Sequence, residues 1–378
     1  MSDPQVPATP PGDVRVLLVV EQLRRRIPGG VGRYASGLVK GLSALPAPSG
    51  VAVTLYASRP PGPDPIAAAG FPVRTSALPG RALTRAWDHR WLCAPAGFDV
   101  VHSVSLAAPP PRRDRPVTSV VMVHDLAWRH QPAATTARGR RWHEAALARA
   151  LEDAGAFVVP SAVIADELEA AGAPAEHVRV VAEGADHLPP PDGESTARLL
   201  AAHGVTGPYV LTVATLEPRK NLERLVAAFS LARPELPEPW PLVLVGPQGW
   251  GDALVPPDGV TLLGEVSDAE LSGLYGGAAL FAYVPLVEGF GLPPLEAMAA
   301  GVPTVVSRTV PSVGDGAGEP ASRLVDPLDV DAIAAGLVAV AGDQELRARL
   351  VTAGRELAGR HTWRRTAEGH VALWESLR

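Results

Sequence analysis

Short apolar runs rich in β-branched residues alternate with helical stretches through nearly the whole chain, in two successive sets. The first set is Val14–Val20, Val51–Tyr56, Val100–Ser103, Val117–Val123, Phe157–Pro160 and Val178–Val181. The second is Tyr209–Ala214, Leu242–Val245, Val260–Leu263, Ala279–Val284, Thr304–Ser307 and Arg323–Val325. Between them the spacing predicts helices, among them Gly32–Ala44, Glu144–Ala154, Ala162–Ala171, Leu222–Ala232, Ser267–Tyr275 and Asp331–Val340. Strands apolar on both faces that alternate with helices make parallel, doubly wound sheets. The Pro-rich stretch from His187 to Gly193 reads as a linker between the sets. The expectation is an α/β chain of two doubly wound domains, residues 1–190 and 191–355, followed by a helical stretch over 356–378. Open α/β sheets bind ligands at the carboxyl ends of their strands, so a cleft lined by those ends is expected.

Length and charge narrow the classes. At 378 residues there is room for two cores. With 40 acidic against 34 basic side chains the net charge is −6, which argues against a general nucleic-acid binder. The single cysteine, Cys93, excludes an internal disulfide and a cysteine-based metal cluster, and fits a reducing cytoplasm. Met1–Asp13 is Pro-rich without a basic stretch, and the apolar run after it is broken by Arg15. Neither reads as a signal peptide or a membrane span, so a soluble cytoplasmic protein is expected. Lys40 and Lys220 are the only lysines and Asn221 the only asparagine, a bias typical of a GC-rich genome. Residues that scarce are kept where their substitutes fail, which singles out Lys220-Asn221.

The densest motif is Glu288-Gly289-Phe290-Gly291-Leu292-Pro293-Pro294-Leu295-Glu296, between a predicted strand and a helix. Gly289 and Gly291 let the backbone approach a ligand, and a proline suits a first helical turn. A helix N-terminus preceded by glycines binds anions, while Glu296 can reach hydroxyls. Glu217-Pro218-Arg219-Lys220-Asn221-Leu222 is the second. Two cations at a helix start oppose the macrodipole, and an anion such as a diphosphate would reverse that cost. His124-Asp125-Leu126 ends a first-domain strand, where His124 either caps the strand or faces a ligand; His102 has the same setting and reads as structural. Gly30-Val31-Gly32 lies too far from the first strand to be a dinucleotide fingerprint. Asp329 and Asp331 open a helix and read as a cap rather than a metal site. Arg112, Arg113, Arg115 and Arg138, Arg140, Arg141 form two basic clusters, read as solvated faces or as a peripheral contact with an anionic membrane.

These residues together resemble glycosyltransferase family 4, the retaining GT-B transferases with two Rossmann-like domains facing a central cleft. The resemblance runs through nearly the whole chain and is most specific at Glu288–Glu296 and Glu217–Leu222. It implies that Arg219 and Lys220 hold the donor's diphosphate, with Gly30 and the amides of Gly291 and Leu292 assisting. Glu296 would hold the ribose; Glu288, with Gly289 and Phe290 beside it, would sit against the transferred sugar. His124 would bond a donor-sugar hydroxyl. No cofactor and no metal are implied, and 356–378 would cross back onto the first domain. Thr215 stands where many members have Arg, Ala214 where they have Gly, and Val284-Pro285 where they have Pro-Ser. Thr215 is shared with polysaccharide mannosyltransferases, which favours GDP-mannose.

The expected activity is retaining transfer of a hexose from a nucleoside-diphosphate sugar to a glycan or lipid-linked glycan, in cell-envelope assembly. The alternatives are an epimerase or phosphorylase on the same architecture and a catalytically inactive sugar-nucleotide-binding partner.

Overall fold

The computed structural model describes residues 13–25, 29–46, 50–60, 62–112, 114, 117–132, 135–238, 240–250, 254–314 and 320–378. Most of Met1–Asp13, and Arg113 and Arg115, all considered above, lie outside them. Two compact units result, one of Met1–Leu126, Ala137–Gly184 and Trp363–Arg378, the other of Ala127–Thr136 and Ala185–Thr362.

In chain order the elements begin β1 (Val14–Val19), α1 (Gly29–Ser43), β2 (Val51–Arg59), β3 (Val73–Pro79), α2 (Gly80–Asp88), β4 (Val100–Ser103) and β5 (Thr118–Met122). There follow α3 (Ala127–His130), α4 (Ala137–Asp153), β6 (Ala156–Val159), α5 (Ala162–Ala170), β7 (Val178–Val180), α6 (Gly193–Ala202) and β8 (Val210–Val213). Next are α7 (Leu222–Ala232), β9 (Leu242–Val245), β10 (Val260–Gly264), α8 (Asp268–Gly277), β11 (Leu280–Tyr283), α9 (Leu292–Ala299) and β12 (Thr304–Ser307). The chain closes with β13 (Arg323–Val325), α10 (Val330–Gly342), α11 (Gln344–Arg360) and α12 (Trp363–Ser376).

The first unit holds a sheet in the order β3-β2-β1-β4-β5-β6-β7, and the second one in the order β10-β9-β8-β11-β12-β13. All pairings are parallel. Counted from its own first strand, each sheet begins 3-2-1-4-5-6, the doubly wound order with a switch point between strands 1 and 4. The inner strands are buried along most of their length, as their near-continuous apolar sequences require.

In the first unit α12 lies against α1. A Cβ at Gly37 would run into the Trp363 ring, and one at Gly41 into the Trp363 backbone, so both positions need glycine. Trp363 and Trp374 are buried in the core of this unit. Tyr34 on α1 donates its hydroxyl to His370 Nε2 (2.8 Å), and Trp374 Nε1 donates to His102 Nδ1 (3.0 Å). His102 is thus a buried structural residue.

The stretch 356–378 is not continuous. It breaks at His361-Thr362, where the His361 N–H donates to Ala358 O and its carbonyl accepts from Ala185 N. The stretch expected as linker is likewise ordered at both ends. Asp192 caps α6 by accepting from Ser195 N (2.9 Å), and the half-buried His187 lies against Glu296 within the second unit. Asp329 accepts from Ala332 N at 2.9 Å, so it caps α10, as its sequence position suggested.

Candidate active site

Two loops leave the switch point of the second sheet, from the adjacent ends of β8 and β11. The first turns at Pro218–Lys220 and reaches α7 through Asn221, which is left-handed at φ 59°, ψ 31°. Few side chains accept that conformation, and asparagine is foremost among them. Its Nδ2 donates to Val284 O (2.9 Å) and Pro327 O (2.7 Å), and its Oδ1 accepts from Arg224 (2.8 Å). Asn221 therefore ties one loop to the other, a backbone duty that accounts for an asparagine at this position.

That tie sets the basic pair against Glu288. Arg219 Nη1 donates to Glu288 Oε1 (3.0 Å) and to Val287 O (3.1 Å), while its Nη2 meets Glu217 Oε1 at 2.9 Å. Lys220 Nζ donates to Glu288 Oε2 at 2.6 Å and to the Tyr283 hydroxyl at 2.7 Å. Tyr283 in turn donates to Glu288 Oε2 at 2.6 Å. The counter-charge expected from a ligand is thus supplied by Glu217 and Glu288. The Lys220 and Glu288 side chains are each 12% exposed, enough to leave an opening and little enough to strengthen every charge contact.

The electrostatics follow from that burial. Burial alone would raise the Glu288 carboxyl, but Lys220 and Arg219 outweigh it and hold it well below the usual range. Lys220 is lowered by burial and by Arg219, against the pull of Glu288. Tyr283 is raised well above its ordinary value, by burial and then by Glu288, so it keeps its proton. Glu288 at neutral pH is a carboxylate that accepts and stabilises; it has no proton to give.

The second loop ends at Gly291, with φ 101°, as the cap of α9. A Cβ there would run into Val310, so the turn requires glycine. Ser312 fixes it from below, donating its N–H to Phe290 O (3.0 Å) and its hydroxyl to Gly291 O (2.7 Å). Gly289 lies in the same loop, and Phe290 is buried edge-on to His361. Pro293 and Pro294 carry no N–H, so among residues 292–294 only Leu292 offers one. Glu296 sits one turn further in, its side chain 1% exposed, with His187 Nε2 3.2 Å from Oε1 and the Tyr275 hydroxyl donating to Oε2 at 2.7 Å.

Arg219, Lys220, Glu288, Gly289, Phe290, Gly291, Leu292 and Glu296 thus belong to one unit and two adjoining loops. His124 and Gly30 belong to the other. His124 Nε2 faces Val104 O at 2.9 Å, and a carbonyl only accepts, so Nε2 carries a proton. Nδ1 faces Glu183 Oε1 at 3.3 Å. Burial lowers the ring's pKa, but Glu183, Val104 and Asp125 more than offset this, and it is raised. Both ring nitrogens are engaged within the first unit. Gly30 is not in a loop: it lies in the first turn of α1, exposed, where a Cβ would touch nothing.

Sequence reasoning missed Tyr283, Tyr275, His187 and Ser312. The chain has five tyrosines, and the scarcity argument applied to lysine would have reached the two on the site carboxylates.

Two Rossmann-like units with this loop pair define a GT-B type protein. Two family models match, Glycosyltransferase Family 4 over residues 28–187 and Glycosyl transferases group 1 over residues 201–357. The chain belongs to glycosyltransferase family 4. The O-antigen chain mannosyltransferase B of Escherichia coli is 38% identical over 163 residues, 41% of this chain and 42% of that one. MMP alpha-(1->4)-mannosyltransferase of Mycolicibacterium hassiacum is 30% identical over 298 residues, 75% of this chain and 66% of that one. The alignment with the first therefore spans under half of that relative. Among solved structures, sucrose-phosphate synthase from Thermosynechococcus elongatus is alike in fold, with a TM-score of 0.71 at 22% identity over 96% of this chain and 99% of that one.

Proposed function

We propose that the chain transfers a hexose, mannose by preference, from a nucleoside-diphosphate sugar to a hydroxyl of a glycan or lipid-linked glycan, with retention at the anomeric carbon. The observation that carries this is the Arg219–Lys220–Glu288 cluster at the switch point of the second sheet. Preorganised cations in a largely buried site stabilise the charge that develops on a departing diphosphate. The amide of Leu292 at the start of α9 adds a donor. Glu288, ionised throughout, accepts from a sugar hydroxyl. Glu296 is assigned to the ribose and His124 to a donor-sugar hydroxyl. The chemistry calls for no metal: the cluster itself supplies the positive charge. The relatives named as mannosyltransferases, together with Thr215, support GDP-mannose as donor and an envelope polysaccharide as product. A cytoplasmic location fits that donor, and exposed Arg138, Arg140 and Arg141 on α4 are the surface proposed for peripheral membrane contact.

The test is acceptor-dependent release of GDP from GDP-mannose in EDTA, with envelope glycans as acceptors. The expected result is turnover that falls at least about a hundredfold in Glu288→Ala, giving a product with the donor's anomeric configuration. Nucleotide binding with no turnover on any sugar nucleotide would instead mark an inactive binding subunit.

A further inference from the structure

We propose that Tyr283 is a positioning residue for Lys220, whose hydroxyl sets the direction of the lysine ammonium and thereby its hold on a diphosphate. The proposal rests on reading Arg219 and Lys220 as the diphosphate site.

Tyr283 is the last residue of β11 and is 2% exposed. Phe281 precedes it by two positions on the same face of the strand, and their rings stack at 6.2 Å. The packing there is satisfied by a bare ring; the hydroxyl of Tyr283 is an addition. That hydroxyl closes a triangle, accepting from Lys220 Nζ at 2.7 Å and donating to Glu288 Oε2 at 2.6 Å, while Lys220 reaches the same oxygen at 2.6 Å. A lysine ammonium rotates freely and offers three protons. Two acceptors at fixed positions stop that rotation and determine where the third proton points. With Glu288 alone the ammonium would pivot about one contact and settle deeper onto the carboxylate. The donation from Tyr283 also shares Oε2, which weakens the grip of Glu288 on Lys220 and makes the lysine easier for an anion to recruit.

Tyr283→Phe isolates this role, since the ring and its contact with Lys220 (5.3 Å from Nζ to centroid) remain. The experiment titrates GDP, UDP and ADP calorimetrically into the wild type, Tyr283→Phe, Lys220→Ala and the double variant. The tightest of the three is expected to bind Tyr283→Phe about tenfold more weakly, the scale of one charge-assisted hydrogen bond. The double variant is expected to bind no more weakly than Lys220→Ala alone, because Tyr283 acts through the lysine. Unchanged affinity in Tyr283→Phe, or a loss that persists in full on the Lys220→Ala background, overturns the proposal while leaving the diphosphate site standing. A wild type that binds none of the three nucleotides overturns the diphosphate site, and this proposal with it.

Discussion

Asn221 shows what a single scarce residue does here. It holds a left-handed turn and three side-chain hydrogen bonds that fix Arg219 and Lys220 against Glu288. Asn221→Ala is expected to cost about 2–4 kcal/mol, from buried groups left without partners and from a conformation alanine resists. Urea unfolding measures it; a loss under about 0.5 kcal/mol, the range of an ordinary surface change, would contradict the assignment. Composition singled out this residue without assigning it a role, because scarcity does not distinguish a binding duty from a backbone one. Lys220, its neighbour, was legible as a cation against a helix start. That its counter-ions are Glu217 and Glu288 was not, since ion pairing across two loops depends on sheet order. Scarcity alone could have singled out Tyr283 and Tyr275, but not their partners, because each reaches a carboxylate in another element.

Among elements, the buried strands were readable almost to the residue, because parallel strands covered on both faces are apolar throughout. The strand β3 was not, since it lies at the sheet edge with Thr75 and Ala77–Pro79 exposed, and its sequence, polar from Arg74 to Ser76 and ending in Pro79, offers neither an apolar run nor an alternation. The terminal helix α12 was visible as apolar spacing, but its chemistry is tertiary. Its His370 is fully buried between Tyr34, Thr366, His102 and Trp374. Burial lowers its pKa from 6.5 to about 4, the Thr366 carbonyl acting weakly the other way. Below pH 6.5 the unfolded chain takes up a proton that the folded one refuses, so this contribution is complete above that pH and is lost as pH falls toward 4. His102, lowered by burial and by His370, acts in the same direction. The raised His124 acts oppositely, its contribution present below pH 6.5 and lost as pH rises through its folded value. Unfolding free energy is expected to fall by about 2 kcal/mol from His370 between pH 7.5 and 5. Guanidinium titrations at the two values should show that difference shrink in His370→Gln; an equal difference in both proteins would remove His370 as its source.

At the scale of the whole molecule, both units repeat one strand order, and the second carries Arg219, Lys220 and Glu288 at the point where that order reverses. This much was legible, because the β/α alternation, its division into two sets and the Glu288–Glu296 spacing are all local patterns. The domain boundary was less so: proline marked 189–191, while the compact units divide at Gly184-Ala185 and the chain returns to the first unit at Trp363. Contacts between segments distant in sequence decide such boundaries, and composition does not report them. Whether the cluster at this reversal is a diphosphate site is tested by calorimetric titration of GDP and GMP in EDTA into the wild type and Lys220→Ala. GDP is expected to bind the wild type more tightly than GMP does, and Lys220→Ala to lose about tenfold in GDP affinity with little change for GMP. Equal GDP affinity in the two proteins would contradict a diphosphate site there.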